Sequence, residues 1–347
     1  MLGAVLTGVE EMHLRQVPTP RPGPGEVRVR VKACGVCQTD YTGYLGKREQ
    51  IPYPTILGHE IAGVIDEVGE GTGEWQVGDE VALSPVIPCG RCHYCRIDKA
   101  NHCRSGIVIG GEGQPTIIDG AFAEYVVVPT IVLYRKPSSV SFEAACLAEP
   151  LAGSYKGLID FSGLRIGDDV AIIGCGGMGL LILMIAAAAG AGRIVALDIS
   201  DFRLDFARRL GAHLAVNCAK EDAADAVRRF LPRGPNIVME AAGTLEAASL
   251  AFDLTTRMTR VNMFGVIVPG DIPVSPARIH FTETAMDSSF SVTPRVMVKS
   301  LELMEKGLVD PGRIVTHRVP LSRIDEAMGL MTSPDRVKVV VVPDDEM

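Results

Sequence analysis

Valines at 27, 29 and 31 alternate with Arg28, Arg30 and Lys32, so residues 26–32 have one apolar and one polar face, the pattern of a half-buried strand. Shorter runs predict further strands over 61–67, 80–83 and 123–128, separated by Pro- and Gly-rich stretches such as 18–25. From about Val170 the pattern changes. An apolar strand over 170–173 precedes an Ala- and Leu-rich helix over 178–189, a strand over 193–197 that ends on Asp198, and a helix over 201–210 closed by Gly211. Strands over 236–240 and 260–266 follow, with helices over 223–231 and 245–255. This alternation predicts an α/β fold with a parallel sheet and helices on both faces. Beyond about residue 292 the pattern gives a helix over 296–306, another opened by Ser322 with Asp325 three residues on, and a last strand over 336–342.

One run tests the globular reading. Residues 170–192 contain 23 consecutive uncharged positions, long enough for a bilayer. Six of them are Gly, four clustered at 174, 176, 177 and 179, which breaks the continuity a spanning helix needs. No basic segment precedes the apolar residues near Met1, and Glu10 and Glu11 follow them at once, so a signal peptide is not expected and a cytoplasmic location is. The formal charge of −8 disfavours nucleic acid and anionic membrane as partners. With 347 residues, 47% of them apolar and 22% charged, two domains of ordinary size are predicted.

Nine cysteines need an explanation other than disulfides in a reducing compartment. Cys89, Cys92, Cys95 and Cys103 have the spacing of a closed tetrahedral zinc shell, which makes a structural site; an iron centre and a cysteine-bearing loop are the rivals. Gly174, Gly176 and Gly179 follow a predicted strand and open a predicted helix. There the amides around Gly174, Gly176, Gly177, Met178 and Gly179 can receive a pyrophosphate. Asp198, at the end of the next strand, can accept hydrogen bonds from ribose hydroxyls and would repel a 2′-phosphate, which favours NAD over NADP; Arg203 nearby softens that preference. The third constellation joins Cys37-Gln38-Thr39-Asp40 with Gly58-His59-Glu60 and with Glu149. Thiolate, imidazole and carboxylate suit a catalytic zinc with one open position. A redox Cys34-x-x-Cys37 pair and an ordinary His–Glu contact are the alternatives.

These motifs, with GAFAEY at 120–125 and in this order, resemble the zinc-dependent medium-chain dehydrogenase/reductase family over essentially the whole chain. The resemblance implies a GroES-like β-rich catalytic domain formed by 1–150 and 292–347, a Rossmann NAD-binding domain formed by 151–291, and an active site between them. It implies two zinc ions per chain. Cys37 and His59 would ligate the catalytic one; Glu149 would take the third place, as in the sorbitol and threonine dehydrogenase branch, with Glu60 also able to approach the metal. Cys89, Cys92, Cys95 and Cys103 would hold the structural ion. Asp40 would orient the His59 ring, and Thr39 would accept the substrate proton.

The implied activity is oxidation of a secondary alcohol in a polyol, cyclitol or related small molecule, with NAD as acceptor, in a homodimer or homotetramer. The Arg-Tyr pair of sorbitol dehydrogenase-like enzymes has no counterpart in Asp287-Ser288-Ser289-Phe290, and Thr42 stands where the family often has a relay histidine. L-threonine 3-dehydrogenase activity, or oxidation of a simple secondary alcohol or diol, is the alternative within the class. A non-catalytic nucleotide-binding relative is the alternative outside it.

Overall fold

A computed structural model describes residues 1–48, 50–111, 118–267 and 270–346. The chain forms two compact units, Met1–Glu149 with Val292–Met347, and Pro150–Ser291.

In the first unit the alternating valines open the long strand Glu26–Gly35, with Val27, Val29 and Val31 turned inward at no more than 2% exposure. It pairs antiparallel with Glu60–Val68, which places Glu60 opposite Gly35. Tyr125–Pro129 also pairs with it, as does Lys338–Val342, through Val340 opposite Gly35. The sheet therefore draws strands from both ends of the unit's sequence, with Val315–Pro320 parallel to Lys338–Val342. One apolar core lies against it, built from Val29, Ile61, Leu83, Phe122, Val339 and Val341 among others.

The second unit is a parallel sheet of six strands in the order Leu214–Asn217, Ile194–Asp198, Val170–Ile173, Ile237–Glu240, Arg260–Met263 and Ala285–Asp287. The order reverses at Val170–Ile173, the position where open sheets of this kind place a ligand crevice beyond their strand ends. The long uncharged run divides here into that strand, a glycine turn and the helix Gly177–Ala188. No helix among the described residues is long and apolar enough to cross a membrane.

Two readings need correction. Ser322 does not cap a helix: a short 3-10 turn, Leu321–Arg323, precedes the helix Ile324–Gly329, and the Ser322 hydroxyl donates to Asp344 instead. The strand at 260–266 stops at Met263, where the chain turns through Gly265. The strands Leu214–Asn217 and Ala285–Asp287 and the helix Gln38–Tyr44 carry no strong periodicity, being short and, for Ala285–Asp287 at the sheet edge, largely exposed.

Candidate active site

The strand Glu26–Gly35 runs directly into the helix Gln38–Tyr44, which leaves Cys37 at the junction as the helix N-cap. Asp40, 1% exposed in the first turn of that helix, joins the pieces. Its Oδ2 accepts from the Cys37 amide at 2.9 Å; its Oδ1 accepts from the Gly58 amide at 3.1 Å and lies 3.1 Å from His59 Nδ1. An ionised carboxylate only accepts, so Nδ1 carries a proton, and Nε2 is the atom the ring presents to a metal once its own proton is displaced. Burial acts to depress the His59 pKa, but the charge and hydrogen bond of Asp40, joined by Cys37, outweigh it and push it well above its ordinary value.

Ligand atoms of Cys37, His59 and Glu60 all lie within 4.8 Å of one another. Glu60 is 1% exposed. Lys338 reaches it from Lys338–Val342, the strand on the far side of Glu26–Gly35, Nζ donating to Oε1 at 2.7 Å and to the Val36 carbonyl at 2.9 Å. Nζ also lies 2.6 Å from Oε2, so both carboxylate oxygens face the ammonium. Glu149 falls outside the group of mutually close ligand atoms but feels the charges of His59 and Glu60. Burial pushes its carboxyl up to about 7, with Glu60 adding to the rise and His59 opposing it. Thr39 is half-buried on the helix Gln38–Tyr44, and the Thr42 hydroxyl donates to the Thr39 carbonyl at 3.0 Å.

The donor set fits a zinc ion. A soft thiolate, an imidazole oriented through its other nitrogen and a buried carboxylate are the ligand types zinc takes when one position stays open. The four-cysteine lobe fits zinc more tightly. Sγ separations are 3.5 Å for Cys92–Cys95, 3.9 Å for Cys92–Cys103 and 4.0 Å for Cys89–Cys95. A tetrahedron with Zn–S bonds of about 2.3 Å has sulfurs about 3.8 Å apart. Backbone amides around the loop favour the thiolate at Cys92, bringing its pKa down to about 6.

In the second unit Gly174 has φ +92°, and a Cβ there would meet the Ala242 amide at 2.6 Å. A Cβ on Gly179 would meet the Gly174 carbonyl at 1.7 Å, so strand and helix can approach only as glycines. Gly176 differs, because nothing lies within 4 Å of the place its Cβ would occupy. Gly176, Gly177 and Met178 are partly exposed at the helix start, a surface of backbone open to an anion. Asp198 accepts from the Cys175 amide at 2.7 Å and from the Ser200 amide at 2.8 Å, which anchors its carboxylate next to the glycine turn. The Arg203 amide donates to the Ser200 hydroxyl at 3.4 Å, at the start of the helix Asp201–Leu210.

Sequence reasoning passed over Lys338. Its signal was a lone cation in the otherwise apolar run 337–342, where a charge needs a buried partner.

Residues 23–138 match the alcohol dehydrogenase GroES-like domain family and residues 177–306 the zinc-binding dehydrogenase family. The chain is 32% identical to the L-threonine 3-dehydrogenase of Symbiobacterium thermophilum, over 95% of this chain and 94% of that one. It is 30% identical to the sorbitol dehydrogenase of Bacillus subtilis, over 99% and 97%. Its fold is similar to an alcohol dehydrogenase from Thermus sp. ATN1, with a TM-score of 0.90, 33% identity, and 99% and 100% of the two chains covered. A sulfur, ring and acid cluster, a cysteine lobe of zinc dimensions and relatives matched along their full length lead to one conclusion: the chain belongs to the zinc-dependent medium-chain alcohol dehydrogenase family, oxidoreductases acting on the CH–OH groups of small molecules.

Proposed function

We propose that this protein oxidises a secondary alcohol of a polyol, cyclitol or related small molecule with NAD as hydride acceptor, in the cytoplasm, using one catalytic and one structural zinc per chain. The observation that carries the reading is the convergence of Cys37, His59 and Glu60 within 4.8 Å, with Glu149 close enough to feel their charge. A zinc ion bound there supplies a Lewis acid that lowers the pKa of an alcohol hydroxyl. Asp40 fixes the tautomer of His59. Thr39 takes the hydroxyl proton and hands it outward. The Thr42 hydroxyl is engaged with the Thr39 carbonyl, so water or Tyr41 completes the path to solvent.

The preference for NAD rests on Asp198, whose anchored carboxylate would face a 2′-phosphate with like charge. Asp287 is bound to Ser162 at 3.3 Å and to Asn262 within the second unit, in the stretch where the Arg-Tyr pair has no counterpart. The relatives named for threonine and sorbitol keep both substrate classes in the test. Assembly as a homodimer or homotetramer is supported by the sheet-edge strand Ala285–Asp287, where Met286 is exposed and Phe281 and Phe290 lie exposed nearby in sequence.

The test is an NADH-absorbance screen over polyols, cyclitols, diols and threonine, with NADP in parallel, on protein of measured zinc content and sedimentation. The expected result is two zinc per chain, one of them lost in Cys37→Ala, and NADH formation with one polyol or cyclitol. Turnover of threonine alone would move the substrate assignment, and silence with every alcohol would sink the catalytic one.

A further inference from the structure

Asp198 and Glu240 end the two strands that flank Val170–Ile173. Ile173 stands opposite Leu197, one residue before Asp198, on one side and opposite Glu240 on the other. A dinucleotide laid across the point where the strand order reverses puts one nucleotide beyond each of these strand ends. With the adenosine ribose at Asp198, the Glu240 side receives the nicotinamide nucleotide. Glu240 is fully buried, and its carboxylate bonds to backbone: Oε1 accepts from the Ala242 amide at 2.8 Å and from the Gly243 amide at 2.7 Å. Its own carbonyl accepts from the amides of Phe264 at 3.0 Å and Gly265 at 2.8 Å, just past the next strand, Arg260–Met263. Glycines let these turns close on the acid. A Cβ on Gly265 would meet Glu240 Oε2 and the Gly243 nitrogen, each at 2.5 Å. Gly243 has φ +72°, and a Cβ there would lie 3.0 Å from the carbonyl of Val266, whose side chain is exposed. Burial pushes the Glu240 carboxyl up, while the amides of Gly243, Ala242, Gly265 and Thr244 pull it down.

We propose that Glu240 is a positioning residue for the nicotinamide half of the cofactor, fixing from beneath the turns at 241–244 and 264–266 that end the strands on that side of the crevice. The inference rests on the NAD reading above. Without the carboxylate, the amides of Ala242 and Gly243 lose their acceptor, and a buried amide left unpaired makes its turn rotate to find another. The turn at Gly265 has no slack against Gly243 and moves with it. Asp198 is anchored separately, by the amides of Cys175 and Ser200, so the damage stays on one side of Val170–Ile173.

The test is calorimetric titration of the full chain with NADH and with ADP, which has the adenosine and both phosphates but lacks the nicotinamide nucleoside. The wild type should bind NADH about tenfold or more tighter than ADP. Glu240→Met removes the acceptor at similar bulk; it should weaken NADH about tenfold and leave ADP within about twofold. Glu240→Gln keeps an oxygen for the Ala242 and Gly243 amides and should hold NADH affinity within about threefold of the wild type. Gly265→Ala, whose methyl group would press on Glu240 Oε2, should reproduce the selective loss. An acid that serves stability alone would lower the melting temperature or weaken both ligands alike. Equal losses for the two ligands, no loss in Glu240→Met, or a wild type that binds NADH no tighter than ADP overturns the proposal. Gly265→Ala decides it with the same two ligands if Glu240→Met does not fold. A wild type that binds neither ligand would instead overturn the cofactor reading, and the role of Glu240 with it.

Discussion

Asp40 gathers three groups with two oxygens: the amide of Cys37, the amide of Gly58 and the ring of His59. The same contacts make the metal-free imidazole unusually basic, because the buried carboxylate favours imidazolium more than burial penalises it. The sign for metal uptake follows. Below the raised pKa the ring holds a proton that zinc must displace, so affinity at the Cys37 site should fall as pH drops, and the fall should begin above the ordinary histidine value of about 6.5. Chelator competition between pH 6 and 9, with proton release read by calorimetry in two buffers, checks this; a flat profile across that range would contradict it. At this scale the sequence was legible where donors lie close together in the chain. Cys37 and His59, whose donor atoms lie within 4.8 Å, stand in local motifs, and Asp40 meets the His59 ring as the resemblance implied. The hold on Glu60 was not, because it depends on Glu60 facing Gly35 across a sheet and on a lysine 278 residues away in sequence.

The glycine turn shows how one element divides its tasks between like residues. Gly179 has no room for a methyl group, whereas Gly176, at φ −70°, has open space around the corresponding position. Gly179→Ala should therefore disrupt the strand–helix contact and lower the melting temperature by several degrees. Gly176→Ala should leave melting nearly unchanged while weakening cofactor binding about tenfold, since the added methyl occupies the surface offered to the pyrophosphate. Thermal melts and cofactor titration by fluorescence, run on both variants, separate the two; equal effects in both assays would refute the division. The long elements of this unit were legible in the sequence because each buries a stripe or a full face. Asp201–Leu210 coincides with its predicted span, closed by Gly211 at φ +113°. The strand Ala285–Asp287 was not, since an edge strand with exposed residues need not alternate.

Across the whole molecule, the first unit depends on a strand supplied from far along the chain. Val340 is fully buried on Lys338–Val342, between Glu26–Gly35 and Val315–Pro320. Val340→Ala should cost about 2 kcal/mol of that unit's stability. Urea unfolding followed by the fluorescence of Trp75 reads this directly, because the chain's single tryptophan packs against the first unit's core. An unchanged midpoint would mean that this strand is not integral to the core. The placement also orders biogenesis. A ribosome delivers the whole of Pro150–Ser291 before Lys338 emerges, so the second unit can fold on the nascent chain while the unit that carries the thiol, ring and acids still lacks its closing strand. A chain stalled before that point would hold the segments of Cys37, His59 and Glu60 without the strand that closes their sheet.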